Sequence, residues 1–443
     1  DYQLRLTTLL DKRALMQEVT LGGRNYQVFF VGRWILGDHF NFTEEYAPKR
    51  YFHNYVGFSW SGMAGLACYA AFKEYIRTAS DPARRVAQDT MDLFVDHGIS
   101  PLGILYPVYF EKAGLYGGAD PESLAGGFGT YGQLGNIDLC PLGEGLYWYV
   151  RCYSLLKEKG IADKRNWVEA VRTALDKIMQ LYPDGDIPGR INGTTGQPGI
   201  KNIALLYWSA SKYTHEWYRP AHVVYPKPSQ GGPTTFTYLV WALVAFHHLT
   251  GEAKYLEYAK AVGDKILLVL DRYGTFSGSE MDFFNIDKRG SHAAFAAMNY
   301  LYEASGEPNW LEGARLCAQS FSSWQYSYNV NFDCYKDLPL GCFDYRTIGG
   351  TPVDIKVSTN NLVFDQGAEE FLKLWNVTGE EQWFERAKAL LHQGTESTLT
   401  ESKRQWLNDN YQGPARGFIR SFNPDAGFDS HCLGGGTEDV LPA

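Results

Sequence analysis

The stretch Thr250-Gly-Glu-Ala-Lys-Tyr-Leu-Glu-Tyr-Ala-Lys260 recurs as Ser305-Gly-Glu-Pro-Asn-Trp-Leu-Glu-Gly-Ala-Arg315 and as Thr378-Gly-Glu-Glu-Gln-Trp-Phe-Glu-Arg-Ala-Lys388. A weaker copy is Trp167-Val-Glu-Ala-Val-Arg172. Each copy follows an apolar segment with helical character and opens an amphipathic one. A unit that recurs in this way is typical of a fold built by repetition.

Each copy carries the signals of a tight turn between two helices. Glycine at 251, 306 and 379 can adopt the left-handed conformation that ends a helix. The glutamate that follows it stands at the positive N-terminus of the next helix. The aromatic residue three or four positions later can pack back across the turn. The repeat therefore predicts a helical hairpin.

The two helices of each hairpin differ in their polarity. The first is apolar on nearly every side, as in Tyr238–Phe246, whereas the second has a charged face, as in residues 252–270. A helix that is apolar all round is buried all round, and a one-sided helix lies outside. We therefore expect an inner and an outer layer, built from five hairpins at 59–98, 142–181, 235–272, 291–324 and 361–396.

This pattern resembles the (α/α)6 toroid of the six-hairpin glycosidases and the related polysaccharide lyases. The resemblance covers residues 55–400 and implies an all-α ring of hairpins with long loops at one mouth. Residues 1–54 are expected to form an N-terminal segment with a helix over 1–20 and an extended stretch over 21–36. Residues 401–443 are expected to be an irregular segment packed on the ring, and the place of a sixth hairpin stays open.

The composition excludes several classes of protein. The chain has 443 residues, a net charge of −9 and 15% aromatic residues, so it is not disordered. The acidic balance argues against a nucleic acid partner, and no apolar run is long enough for a membrane span. Because the first residue is Asp1, we interpret the start as processed or trimmed and expect a periplasmic or secreted protein. Three of the seven cysteines lie in apolar helical patterns and are expected in the core: Cys68, Cys152 and Cys317.

The connections between hairpins are long, whereas the turns inside them are predicted to have two to five residues. The long connections span 99–141, 182–234, 273–290 and 325–360, and each precedes an inner helix. They are therefore expected to gather at one end of the ring, over the N-termini of the inner helices. Long loops in a compact domain usually carry function.

Two pairs of carboxylates in these loops are candidates for acid–base catalysis. Asp138 and Glu144 stand near the start of the second inner helix, and Glu280 and Asp282 share one face if their segment is extended. Each pair could donate and accept protons across a glycosidic bond. The structural alternative for Glu144 is stabilisation of a helix N-terminus, with Asp138 in a turn. For the second pair it is capping and surface charge.

The same loops supply candidates for substrate binding. Arg190, Lys201 and Arg219 could hold a carboxylate substituent, because cations at a mouth favour an acidic sugar. Arg190 could equally be a solvated turn residue, and Trp60 could equally lie in the core. The aromatic residues expected to stack on sugar, and the histidines expected near it, are Trp60, Tyr131, Trp208, Tyr345, His222 and His292.

These residues favour a glycoside hydrolase acting on an oligosaccharide or polysaccharide, in the manner of a glucuronidase if the sugar is a uronate. The alternatives are a polysaccharide lyase acting by β-elimination, with His292 or a Tyr, His and Arg cluster at 213–225, and a sugar epimerase on the same fold. No nucleotide or redox motif is present, so we expect no organic cofactor. The Asp184 and Asp186 element lacks the rest of a calcium loop, so we expect no metal. The sequence leaves the oligomeric state open.

Overall fold

The computed structural model describes residues 16–29, 55–58, 64–110, 115–116, 136–202, 222–224, 227–230, 234, 236–276, 286, 288–329, 348–351 and 367–396. Within these ranges the chain forms ten α-helices and nine short strands. None of these helices has both the length and the apolar character required to cross a bilayer. A sixth hairpin is not among the described elements, and residues 401–443 lie outside the described residues.

The ten helices form the five predicted hairpins. The inner helices are α1 (Ala64–Thr78), α3 (Leu139–Glu158), α5 (Tyr238–Thr250), α7 (Lys288–Ser305) and α9 (Ala368–Thr378). The outer helices are α2 (Asp81–His97), α4 (Arg165–Leu181), α6 (Ala253–Tyr273), α8 (Pro308–Ser322) and α10 (Glu381–Glu396). Four of the turns have two residues, and that of the second hairpin, residues 159–164, has six, one more than predicted. The helical-hairpin toroid predicted from the repeats is confirmed.

In the three hairpins that carry the glycine repeat, the turn between the two helices has the conformation that its sequence predicts. Gly251, Gly306 and Gly379 have φ of 74°, 68° and 69°. Glu252 and Glu307 then stand in extended conformation at the N-caps of α6 and α8. The left-handed glycine ends one helix and the extended glutamate begins the next, so two residues suffice to reverse the chain.

The aromatic residue of each repeat seals its turn. Trp310 is 2% exposed, and its indole N–H donates to Glu307 Oε2 at 3.1 Å. Trp383 is also 2% exposed and makes the corresponding bond to Glu380 Oε2 at 3.0 Å. The third repeat member, Tyr255, is fully buried. These rings belong to the core, and their abundance carries no information about a ligand.

Three of the inner helices are buried on every side over long stretches, as predicted for the inner layer. Residues 139–150 of α3, 238–244 of α5 and 288–299 of α7 are buried without interruption. Each inner helix packs beside the next, in the order α1, α3, α5, α7, α9, and each outer helix covers its own inner partner. Cys68, Cys152 and Cys317 are buried free thiols in this core, as predicted.

Short strands precede and separate the helical hairpins along the chain. β1 (Met16–Leu21) and β2 (Arg24–Phe29) form an antiparallel hairpin on α2, where Arg24 binds Asp89 and Asp96. Residues 16–20 are therefore a strand, and the helix predicted over 1–20 is wrong there, because alternate side chains such as Val19 face the core. The remaining strands are β3 (Tyr55–Gly57), β4 (Val108–Phe110), β5 (Leu115–Tyr116), β6 (Asn136–Asp138), β7 (Arg190–Asn192), β8 (Ile200–Asn202) and β9 (His222–Val224).

The left-handed turn gives a direct test of the repeat. A Cβ at Gly306 would meet no atom within 4 Å, so Gly306→Ala adds backbone strain and no clash. We expect it to lower the free energy of unfolding by about 1 kcal/mol, whereas Gly306→Asn, which tolerates this conformation, loses less. Urea unfolding of both variants measures the difference. Equal stability of the alanine variant and the wild type would contradict the turn geometry.

Candidate functional site

The N-terminal ends of the inner helices, which we call the mouth, bring together several of the predicted site residues. Asp138 ends β6 immediately before α3, Glu144 lies in the second turn of α3, and His292 lies in the second turn of α7. Arg190 stands in β7, which pairs with β6. The mouth therefore joins residues that are up to 154 positions apart in the chain.

Asp138 and Arg190 form a bidentate ion pair. They are direct partners in the antiparallel register of β6 and β7. The guanidinium Nη2 lies 2.9 Å from Asp138 Oδ2, and Nε donates to Oδ1. The Arg190 side chain is 1% exposed, and the stem packs against Gly199, where a Cβ would lie 2.5 Å from Arg190 Cγ. Each residue neutralises the charge of the other. This contact tests neither the catalytic role predicted for Asp138 nor the substrate-binding role predicted for Arg190, and both remain predictions.

Glu144 is held at the mouth by a second ion pair. Its Oε2 accepts a bond of 2.9 Å from Nη2 of Arg289, in the first turn of α7, and both side chains are 3% exposed. Nε of Arg289 donates to the Tyr238 hydroxyl at 3.2 Å, so the group spans α3, α5 and α7. This contact lies one turn inside α3, so Glu144 acts through a partner on another helix and does not cap its own.

The glycines on either side of Glu144 explain its position. A Cβ at Gly143 would lie 2.6 Å from the backbone nitrogen of Leu239, and one at Gly145 would lie 2.8 Å from the ring of Phe58. These glycines therefore let α3 approach α5 and the strand before α1. The close approach leaves Glu144 facing Arg289.

His292 and Glu370 form a buried pair between α7 and α9. His292 Nε2 lies 3.4 Å from Glu370 Oε2, and the two residues are 4% and 6% exposed. Both ring nitrogens of His292 are buried without a hydrogen-bond partner, since the 3.4 Å contact at Nε2 is an ion-pair distance only. Burial raises the pKa of Glu370, but the neighbouring His292 and Lys373 outweigh it, so the net shift is downward. The pair is therefore a buried carboxylate in its ionised form beside a buried imidazole.

The aromatic side chain of Trp241 packs against both Tyr238 and His292. The Trp241 ring lies 5.6 Å from the His292 ring and 4.5 Å from the Tyr238 ring, measured between centroids. Its indole N–H donates to the Ala293 carbonyl at 3.0 Å, which fixes the ring orientation. Trp241 thus connects the Arg289 group to the His292 pair.

The remaining predicted site residues are distributed as follows. Lys201 and His222 lie in the antiparallel pair β8 and β9, where Lys201 faces Val223 and His222 faces Asn202 in the register. The rest lie outside the described residues: Trp60, Tyr131, Trp208, Arg219, Glu280, Asp282 and Tyr345.

The Asp184 and Asp186 turn is satisfied by protein donors. Asp186 is 5% exposed, and its carboxylate accepts bonds from the backbone N–H and the hydroxyl of Ser229. Asp184 Oδ1 accepts from the backbone N–H of Asp186 at 3.2 Å. Across the described ranges no three His, Cys, Asp or Glu side chains are grouped to hold a metal ion.

Three charged residues at the mouth were not predicted from the sequence: Lys288, Arg289 and Glu370. Lys288 and Arg289 open α7, are 2% and 3% exposed, and stand at a helix N-terminus, where cations are disfavoured. Two cations directly before an apolar helix were the available signal. Glu370 is also a buried charged residue in the first turn of an inner helix, here an acid in α9.

Comparisons with known proteins agree with the architecture. No protein-family model and no curated protein sequence matches the chain. Among solved structures, a D-mannose isomerase aligns with a TM-score of 0.52 and 10% identity over 99% of this chain and 96% of the isomerase. A family 76 glycoside hydrolase from a bovine Bacteroides thetaiotaomicron strain aligns at 0.49, with 12% identity over 96% of this chain and 76% of the hydrolase. The cellobiose 2-epimerase of Spirochaeta thermophila aligns at 0.45, with 10% identity over 82% and 84%.

The chain shares its fold with a D-mannose isomerase. The isomerase match spans nearly the whole of both chains, so the fold is common to both. The structural superposition establishes the common fold. Because the sequence identity is only 10%, the reaction has to be argued from the residues.

The Glu144–Arg289 pair can be tested by a double-mutant cycle. Replacing one partner leaves a buried charge alone, so we expect Glu144→Met and Arg289→Met each to lower the free energy of unfolding by about 3–5 kcal/mol. The double variant should lose much less than the sum of the two, because it leaves no unpaired charge. Urea unfolding measures the three variants, and strictly additive losses would contradict the buried pair.

Proposed function

We propose that this protein is a carbohydrate-active enzyme and, within that class, a glycoside hydrolase that uses carboxyl groups at the mouth. The observation that carries the proposal is the Glu144 carboxylate, buried between three inner helices and bonded to Arg289. The ion pair with Arg289 holds this carboxyl group at the mouth. Glycoside hydrolysis requires a carboxyl group of this kind as its base or nucleophile.

The general acid in this proposal comes from the loop that leads into α7. Asp282 stands seven residues before Arg289, and Glu280 stands nine residues before it. A fully extended chain spans at most about 3.6 Å per residue, so Asp282 lies within about 25 Å of the Arg289 Cα atom. The proposal requires this segment to bring one of the two carboxyl groups to Glu144, which contacts the described residue Arg289 at the end of the segment. A separation of about 5–5.5 Å between the two carboxyl groups would retain the anomeric configuration, and about 6.5–9.5 Å would invert it.

The proposed substrate is an oligosaccharide or a polysaccharide, and a uronate is the favoured sugar. The Arg190 guanidinium binds Asp138 on its bidentate edge. Recognition of a uronate carboxylate is therefore assigned to Lys201 and Arg219 in this proposal. A lyase acting on the same polymer is distinguished by its product, because β-elimination creates a double bond that absorbs ultraviolet light and hydrolysis of the intact polymer does not.

The His292–Glu370 pair supports a second candidate, an isomerase or epimerase that moves a proton next to a sugar carbonyl. A histidine next to a carboxylate has the composition of a general base and its orienting partner. The buried ring nitrogens of His292, which have no hydrogen-bond partner, and the 3.4 Å distance from Nε2 to Glu370 are the specific observations in its favour. A D-mannose isomerase shares this fold, so the scaffold accommodates an isomerase.

Loss of the proposed acid tests the hydrolase. A screen of neutral and uronic aryl glycosides and of oligosaccharides identifies the substrate by reducing sugar released without ultraviolet absorbance. On that substrate we expect Glu280→Gln or Asp282→Asn to lower kcat by about 100-fold or more, since the leaving group then departs unprotonated. Glu257→Gln, on the exposed face of α6, is the matched control and should keep full activity. Full activity in both loop variants would refute the proposed acid.

Hydrogen exchange separates the two candidates. An isomerase working through His292 incorporates deuterium at carbon 2 when D-mannose is incubated in heavy water, and proton NMR detects the loss of that signal. In that case His292→Asn stops the exchange, and His392→Asn, on the exposed surface of α10, does not. The hydrolase proposal predicts no exchange in the wild type, so exchange that depends on His292 would replace it with the isomerase.

A further inference from the structure

A cavity of about 390 Å³ lies between α3, α5, α7 and α9. It is nearer to the C-terminal ends of the inner helices than to their N-terminal ends at the mouth. Its polar lining comes from Arg151 and Ser154 of α3, His248 of α5, Tyr300 and Glu303 of α7, and Lys373 of α9. His248 and Glu303 are exposed and stand in the last turns of their helices. The cavity therefore opens at the end of the ring where the two-residue turns lie, which we call the turn end.

The cavity is separate from the mouth. Arg151 stands seven residues after Glu144, so it lies about 10 Å further along α3 at 1.5 Å per residue. Trp241 lies between the two regions, because one side of its contacts is the His292 ring and the other is Tyr147 and Tyr300. Tyr147 and Tyr300 bond to each other through their hydroxyls at 3.2 Å. An aromatic layer thus closes the cavity on its mouth side.

Arg151 carries a charge that no carboxylate in the described ranges neutralises. Its Nη1 donates to the Tyr147 hydroxyl at 2.9 Å, and its Nη2 donates to the Tyr69 hydroxyl at 3.3 Å. Both partners are neutral phenols, and burial raises the pKa of Tyr147, so that hydroxyl stays protonated. A half-buried guanidinium with neutral partners retains an unmatched positive charge.

The other ionisable groups of the cavity lining are Lys373, Glu303 and His248. Lys373 lies 3.6 Å from Glu303 and 3.1 Å from Glu369, which does not line the cavity. Burial, followed by the neighbouring His247, lowers the pKa of His248, so His248 is neutral near pH 7. Among the described residues, Arg151 is therefore the charged group of the lining that no opposite charge contacts.

Aromatic rings form part of the cavity wall. Trp241, Tyr147 and Tyr300 pack against one another with ring centroids 5.5–6.0 Å apart, and Trp241 and Tyr147 are 6% and 5% exposed. Aromatic rings at the wall of a pocket can contact the apolar face of a ring-shaped ligand. A volume of about 390 Å³ lies in the range of pockets that hold a small molecule.

We propose that this cavity is a second binding site, for a monoanionic sugar ring, in which Arg151 binds the carboxylate and the aromatic layer supports the ring. Ser154 and His248 are placed to bond the ring hydroxyls at the open side. The site does not depend on the reaction proposed for the mouth.

Isothermal titration calorimetry with D-glucuronate as the probe tests this site. D-Glucose supplies the ring without the charge, and acetate supplies the charge without the ring. We expect the wild type to bind glucuronate, and to bind glucose and acetate at least about tenfold more weakly, since one charged hydrogen bond is worth about 1.5–3 kcal/mol. Arg151→Gln should weaken glucuronate binding at least tenfold, and Arg165→Gln, an exposed arginine of α4, should not change it.

Two further variants assign the binding to this cavity. Ser154→Trp fills the open side while Arg151 is retained, and it should abolish glucuronate binding even if Arg151→Gln fails to fold. His292→Asn alters the mouth and should leave the binding intact. The site is refuted if the wild type does not bind glucuronate, if glucose binds equally well, or if Ser154→Trp binds normally. It is also refuted if His292→Asn alone removes the binding.

Discussion

The buried ion pair between Glu144 and Arg289 is the interaction on which the geometry of the mouth depends. It joins α3 to α7 over the Tyr238 hydroxyl of α5, and both charged side chains are 3% exposed. Burying one such charge alone is very unfavourable, so each partner fixes the position of the other. The three helices consequently hold a fixed relation at their N-terminal ends, where the long loops emerge.

The closed inner layer gives this pairing its importance. Because α3, α5 and α7 are covered on every side, each of their polar groups needs a partner within the ring or a ligand. Glu144 has Arg289, and Asn299 donates to the Glu370 carbonyl. Among the described residues of these helices, the exceptions are both ring nitrogens of His292 and the indole nitrogen of Trp148, which are buried without a hydrogen-bond partner. The Arg151 guanidinium has partners, but both are tyrosine hydroxyls and not carboxylates.

The fold was largely predictable because its signals are local. Gly306, Glu307 and Trp310 specify a turn within six residues, and the same turn returns at each repeat that the sequence shows. The layering followed equally from helix polarity. The strand at residues 16–21 escaped prediction because it is defined by pairing with β2 and packing on α2, which a segment cannot show by itself.

The pairings at the site were less predictable because they join distant parts of the chain. Asp138 and Arg190 were identified separately, as a catalyst and as a substrate ligand, but a strand register 52 residues apart makes them partners. Arg289 escaped notice because its partner stands 145 residues away. Gly143 and Gly145 beside Glu144 are required for the close approach of α3 to Leu239 of α5 and to Phe58, contacts that join distant parts of the chain.

A crystal structure of the protein soaked with the sugar that it turns over tests the central claim, that the chemistry occurs at the mouth of the ring. We expect a sugar ring at the N-terminal ends of α3, α5 and α7. One of its hydroxyl groups, or the scissile oxygen, should lie within hydrogen-bond distance of Glu144 or His292. A sugar bound only on the outer layer, or only in the cavity at the turn end, would contradict it.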